Sequence, residues 1–181
     1  MRSWMAWILC NSKEERGGVT DEFHKKQAAG SWLTFIALIV AAVSLIVYRV
    51  NIGSEGYFKN ASVPYSVNYC IAGIVALAVV LIMGQINVSG IAKWVGDICS
   101  GILRIAAPAV FIGSLMVLIS SRIEGIAFIY MSNEEVLHEV QTAENLASAH
   151  GTIANMILLA VAAVIGMVAA FFSLKKKDKA N

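Results

Sequence analysis

Three charged residues stand close together at the start of an apolar stretch: Lys93, Asp97 and Arg104. Spacings of four and seven place them near one face of a helix. Arg104 stands inside the apolar run itself, where an ionisable side chain costs about 2.5–3.5 kcal/mol at a bilayer centre. Such a group either snorkels to the interface or faces a protein interior or a water-filled space. An Arg side chain leans towards the helix N-terminus, so Arg104 is within reach of Asp97 or of the interface. The spacing leaves these uses open. A buried Asp97–Arg104 pair would fix helix register, whereas a pore-lining Arg104 would favour anions. Pro108, one turn on, frees a carbonyl near Arg104 and favours a kink.

Other residues of chemical interest are sparse. Glu135 and His138 have the Glu-x-x-His spacing of a carboxylate metal site, but a di-iron centre needs two such motifs plus two further carboxylates. With one copy present, no metal site is expected, and His24 and His150 lack ligand partners at useful spacing. All three histidines lie outside the apolar runs, which argues against haem ligation. Cys10, Cys70 and Cys99 fall in different compartments by topology, so no intramolecular disulfide is expected. Phosphate-cradling, dinucleotide-binding and nucleophile-elbow motifs are missing from the sequence. The expectation is a protein without catalytic residues, cofactor or metal. Asn68, Gln85, Asn87 and Asn155 sit near the ends of apolar runs and suit interhelical hydrogen bonds.

The elements that carry these residues follow from composition. Of 181 residues, 58% are hydrophobic and only 14% charged, against about 45–50% and about 25% in a soluble domain. The mean hydropathy is +0.71. Disorder, a disulfide scaffold and a soluble nucleic-acid binder are excluded. Four apolar runs, at 32–50, 67–86, 95–121 and 152–174, are near or above the ~20 residues that span a bilayer. Without period-2 alternation these runs are helices. The expected fold is all-α and polytopic: a four-helix transmembrane domain over 32–174, an N-terminal segment over 1–31 and a basic tail over 175–181. The apolar stretch 4–10 is too short for a cleaved signal peptide.

Lys and Arg set the orientation. Arg2, Lys13, Arg16, Lys25, Lys26, Lys93, Lys175, Lys176, Lys177 and Lys179 lie on one side, against Arg49, Lys59 and Arg122 on the other. That asymmetry places both termini in the cytoplasm. Segments 51–66 and 122–151 are then outer loops. Within the second, Ser132 and Glu135 have capping-box spacing. Val136, Leu137 and Val140 follow on a helical pattern, predicting one short amphipathic helix over 132–147, ended near Gly151. Those three residues are candidates for docking a partner protein. Trp4 and Trp7 suit a short interfacial helix, and the terminal lysines suit anionic lipid.

Small residues recur at four-residue spacing in every span: Ala37 and Ala41, Ala72 and Ala76, Ala109 and Gly113, and Ala162, Gly166 and Ala170. Such stripes let helices approach closely, and the last is the best candidate for a tight contact, within the chain or between copies.

The series Val95, Gly96, Asp97, Ile98, the span bearing Arg104, then Ser121, Arg122 and the segment to Tyr130 resembles a group of small four-span proteins of Gram-positive gut bacteria. The resemblance implies a bacterial cytoplasmic membrane and a connection with carbohydrate uptake. It carries no site residues over. By subtraction, the leading expectation is a non-enzymatic accessory or assembly subunit that binds other membrane proteins or copies of itself. The alternative is a homo-oligomeric channel or small transporter with Arg104 near the pathway.

Overall fold

A computed structural model of the chain describes residues 29–85 and 91–172, with the backbone alone at 91–93. The N-terminal segment, Asn87, the Lys93 side chain and the lysine tail lie outside the described residues. Among the described residues there are four long helices and one short one: α1 (Ala29–Gly53), α2 (Pro64–Gln85), α3 (Ile91–Met131), α4 (Glu134–Val140) and α5 (Ala143–Phe171). The all-α expectation holds, and all four long helices are long and apolar enough to cross a membrane. Each is a continuous apolar run whose backbone groups must be satisfied internally in hydrocarbon, and only a helix does this within one segment.

α1 packs on α5, α5 on α3, α3 on α2 and α2 on α1, giving an up-down-up-down bundle of antiparallel neighbours. Ala37, Ala41, Leu77, Phe111, Leu159 and Ala162 fill its middle. Phe111 fits because α2 offers Gly73 opposite. A Cβ there would lie 2.5 Å from the ring, so the ring rests directly on the α2 backbone. Large exposed apolar side chains, including Ile39, Ile46, Ile102, Ile105 and Ile157, cover the outside of the four long helices. That distribution suits lipid.

α3 has 41 residues and so measures about 60 Å, twice the ~30 Å hydrocarbon core. It continues ten residues past the expected end at Ser121. The hydroxyls of Ser120 and Ser121 donate back to the carbonyls of Met116 and Val117 at 2.9 and 2.8 Å, satisfying themselves without breaking the helix. Exposed Ser120, Ser121 and Glu124 mark where α3 leaves the apolar zone on the side away from Ala29 and Phe171, the distal side.

The segment 122–151 is therefore mostly helix, not loop. The single amphipathic helix expected over 132–147 is instead α4 and the first turn of α5, separated at Gln141 and Thr142. Ser132 is not an N-cap; its hydroxyl donates to the Phe128 carbonyl at 2.6 Å. Asn133 starts α4 without a side-chain cap. Thr142 caps α5 by accepting from the Asn145 amide at 3.2 Å. Gly151 does not end a helix, because α5 runs through it to Phe171.

The α1–α2 connection folds over the distal end. Asn60 has φ 57°, a left-handed conformation that Asn tolerates. Gly56 has φ +127°, and a Cβ there would meet the Glu144 carbonyl at 2.5 Å. Glycine thus solves both a backbone and a space requirement, letting the connection lie on α5.

Candidate functional site

Arg104 is half-buried near the end of α5. Its Nη2 donates to the carbonyls of Ala169 and Phe172, while Nε is buried with no hydrogen-bond partner. The last carbonyls of a helix lack intrahelical donors and carry the negative end of its dipole. Arg104 therefore acts as a C-terminal cap supplied by a neighbouring helix. Asp97 is exposed, and among the described residues no ion pair joins it to Arg104. The two residues share a helix but not a site. Arg104 also lies near the end of the bundle opposite the distal cap, with its guanidinium turned onto α5.

The small-residue stripes divide. Ala37 and Ala41 are buried, as are Ala162 and Gly166, while Ala170 is half-buried. Gly166 faces Pro108, and a Cβ on it would lie 3.5 Å from the proline ring, an ordinary contact. Ala72 and Ala109 are exposed, and Gly113 has open space around it. α2 instead buries Ser66, Cys70, Gly73, Leu77 and Val80, a face rotated from the Ala72–Ala76 line.

Val136, Leu137 and Val140 are all half-buried on α4, which has no fully buried residue. Val140 packs on the distal core of Phe58, Ile129 and Ala149, so it is partly spent within the chain. Around α4 and the end of α3, Tyr57, Ile123, Phe128 and Met131 are exposed, Met131 at 83%. The rings of Tyr57 and Phe128 lie 5.9 Å apart. Glu135 and His138 have no companions: among the described residues no three His, Cys, Asp or Glu side chains could hold a metal.

Among the described residues the buried cation is Arg122, 3% exposed and read from sequence as a loop residue. Its guanidinium carbon lies 4.5 Å from the centroid of the Phe58 ring, and Nη2 donates to the Ala61 carbonyl. The Val63 amide donates to the Tyr48 hydroxyl at 2.6 Å, and the Phe58 amide to Ser148 Oγ at 3.3 Å. Phe58 and Tyr57 both crowd Gly125, where a Cβ would lie 2.7 Å from either ring. One connection is thus fixed to α1, α3 and α5 together. The sequence signal for Arg122 was its place one residue past two serines; the length assigned to the span hid it.

Beneath this cap the bundle is polar. Ser44 Oγ donates to Asn155 Oδ1 at 2.5 Å, and Asn51 Nδ2 to Thr152 Oγ1 at 2.8 Å, both between α1 and α5. Ser66 and Ser114 exchange hydroxyl contacts between α2 and α3, with Ser114 Oγ donating to the Ser66 carbonyl at 2.7 Å. Between these clasps lies a cavity of about 10 Å³ lined by Ser44, Tyr48, Ser66, Cys70, Ser114 and Asn155, room for about one water. Outside, between the distal ends of α1 and α5, opens a groove of about 570 Å³ whose lining includes Val47, Val50, Asn51 and Ala147.

Comparison with family models, with curated proteins and with solved structures gives no match.

Proposed function

We propose that the protein is a non-enzymatic membrane subunit that binds another membrane protein through its distal surface. The observation that carries this reading is the distal part of α3. About half of this ~60 Å helix exceeds the hydrocarbon core, and its distal turns present Ile123, Phe128 and Met131 beside Tyr57 and half-buried Val136 and Leu137. Within the bilayer, exposed apolar side chains are covered by lipid. Beyond it they face water, and a cluster of this kind marks an interaction surface. The platform is rigid because Arg122, Phe58 and Tyr48 tie it to the bundle.

The interior favours a structural role over a pore. Phe111, Leu77, Leu118 and Leu159 are buried along the bundle, and the guanidinium of Arg104 is engaged with the end of α5. The distribution of Lys and Arg supports cytoplasmic termini and an extracytoplasmic docking face. The link to sugar uptake and to a bacterial membrane rests on the resemblance of the second half of the chain.

Native mass spectrometry after gentle extraction of the full chain tests this reading. A stoichiometric complex with a different membrane protein is expected. A monomer or a purely homo-oligomeric species, with no co-extracted protein, would overturn it.

A further inference from the structure

The groove between α1 and α5 points to a ligand of defined chemistry. Its lining is largely apolar, with half-buried Val47 and exposed Ile46, Val50 and Ala147, and its volume of about 570 Å³ falls in the range of small-molecule sites. Three acceptor groups line it: the carboxamide of Asn51 and the carboxylates of Glu55 and Glu144. Asn51 is 9% exposed. Its Nδ2 gives one N–H to Thr152, and among the described residues no donor reaches its Oδ1. Gly151 makes room for that oxygen, since a Cβ there would lie 2.6 Å from it. Glu144 has no cation partner among the described residues, and Glu55 is held by Lys59 at one oxygen. The hydroxyl of Ser54, also in the groove, is spent on the Asn51 carbonyl at 2.8 Å.

We propose that this groove binds an aminophospholipid of the distal leaflet. The lining side chains offer two carboxylates and a carboxamide oxygen against a single spare donor, the second N–H of Asn51 Nδ2, which suits an ammonium with several N–H bonds. Val47 and Val50 lie on the bilayer-spanning part of α1, so an acyl chain follows them into the hydrocarbon. Lys59, paired with Glu55, is a cation within reach of the lipid phosphate. A trimethylated head of the same charge has no N–H to give Asn51 Oδ1, so phosphatidylcholine fits less well than phosphatidylethanolamine. An anionic head of the phosphatidylglycerol type meets two carboxylates and is disfavoured.

The test uses the full chain in nanodiscs of equal phosphatidylethanolamine, phosphatidylcholine and phosphatidylglycerol with matched acyl chains. Lipids retained after mild delipidation are counted by native mass spectrometry. Phosphatidylethanolamine is expected to be retained about tenfold over either competitor, the effect of one charge-assisted hydrogen bond. Glu144→Gln is expected to lower that preference several-fold, and Ala147→Trp, which fills the groove from an exposed position, to abolish it. Thermal melting of both variants should match the unaltered chain, which separates loss of the site from loss of the fold. Equal retention of the three lipids, or unchanged preference in both variants, would overturn the proposal. The outcome is independent of whether a partner protein binds the distal face.

Discussion

The guanidinium of Arg122 stacks over the ring of Phe58, 64 positions away in sequence, with 4.5 Å between its central carbon and the ring centroid. The same guanidinium donates to Ala61. Arg122 thus satisfies its charge with a π face and a backbone carbonyl in place of a carboxylate. The arrangement joins α3 to the α1–α2 connection and makes the distal cap part of the bundle. Breaking it should cost more than any single interhelical hydrogen bond here. A desolvated cation–π contact is worth about 2 kcal/mol and a hydrogen bond to a charged group about 1.5–3 kcal/mol.

Arg122→Met should therefore destabilise the protein by about 2–4 kcal/mol, read from unfolding in detergent micelles. Phe58→Leu should cost less. The double variant should show a coupling of about 1–2 kcal/mol. Additive losses would mean that the stacking contributes nothing.

Two glycines make opposite predictions. Gly73→Ala drives a methyl group to 2.5 Å from the buried Phe111 ring, and overpacking of this kind costs about 1–3 kcal/mol. Gly166→Ala meets Pro108 at 3.5 Å and should be neutral or stabilising. Thermal melts of the two variants decide between them. Equal sensitivity would contradict the packing described.

The capping role of Arg104 predicts a local effect. Arg104→Gln should leave global unfolding nearly unchanged and raise amide exchange in the last turn of α5, around Ala169 and Phe171. A dipole and capping loss of about 0.3–2 kcal/mol sets the scale. If exchange rises throughout the bundle, Arg104 holds more than the end of one helix.

The polar clasps below the cap should be individually weak. Ser44→Ala and Ser114→Ala are each expected to cost about 0.6 kcal/mol and at most about 1.7 kcal/mol, the range for hydrogen bonds between membrane helices. A larger loss at Ser44 or Ser114 would indicate that the water-sized cavity between them contributes through a shared network.

Much of this architecture is legible in sequence because lipid imposes a coarse rule: long apolar runs are helices, and four of them bracket the bundle. Boundaries are less legible. Ser120 and Ser121 read as the end of a span, yet their hydroxyls bond back to the preceding turn and α3 continues. That difference of ten residues hid Arg122, which sits on the inward face only if the helix persists. Thr142 and Ser132 both have cap chemistry. Which one caps was decided by tertiary contacts, including Gln141 donating to the Ile129 carbonyl at 3.1 Å. The Ala72–Ala76 and Ala109–Gly113 stripes divide for a similar reason: Ala72 and Ala109 are exposed, while Ala76 packs against the core. Four-residue spacing defines a face but not its direction, and Phe111 needed Gly73 opposite it.

The distal surface around Phe128 and Met131 is proposed to contact another membrane protein. Photo-crosslinking residues placed singly at Phe128, Met131, Leu137 and, as a lipid-facing control, Ile105 test it most directly in the native membrane. One protein adduct of the same mass is expected from the three distal positions, lost in a Met131→Glu background probed at Phe128, with lipid adducts alone from Ile105. The same protein adduct at Ile105, or lipid and water adducts alone at the three distal positions, would contradict it.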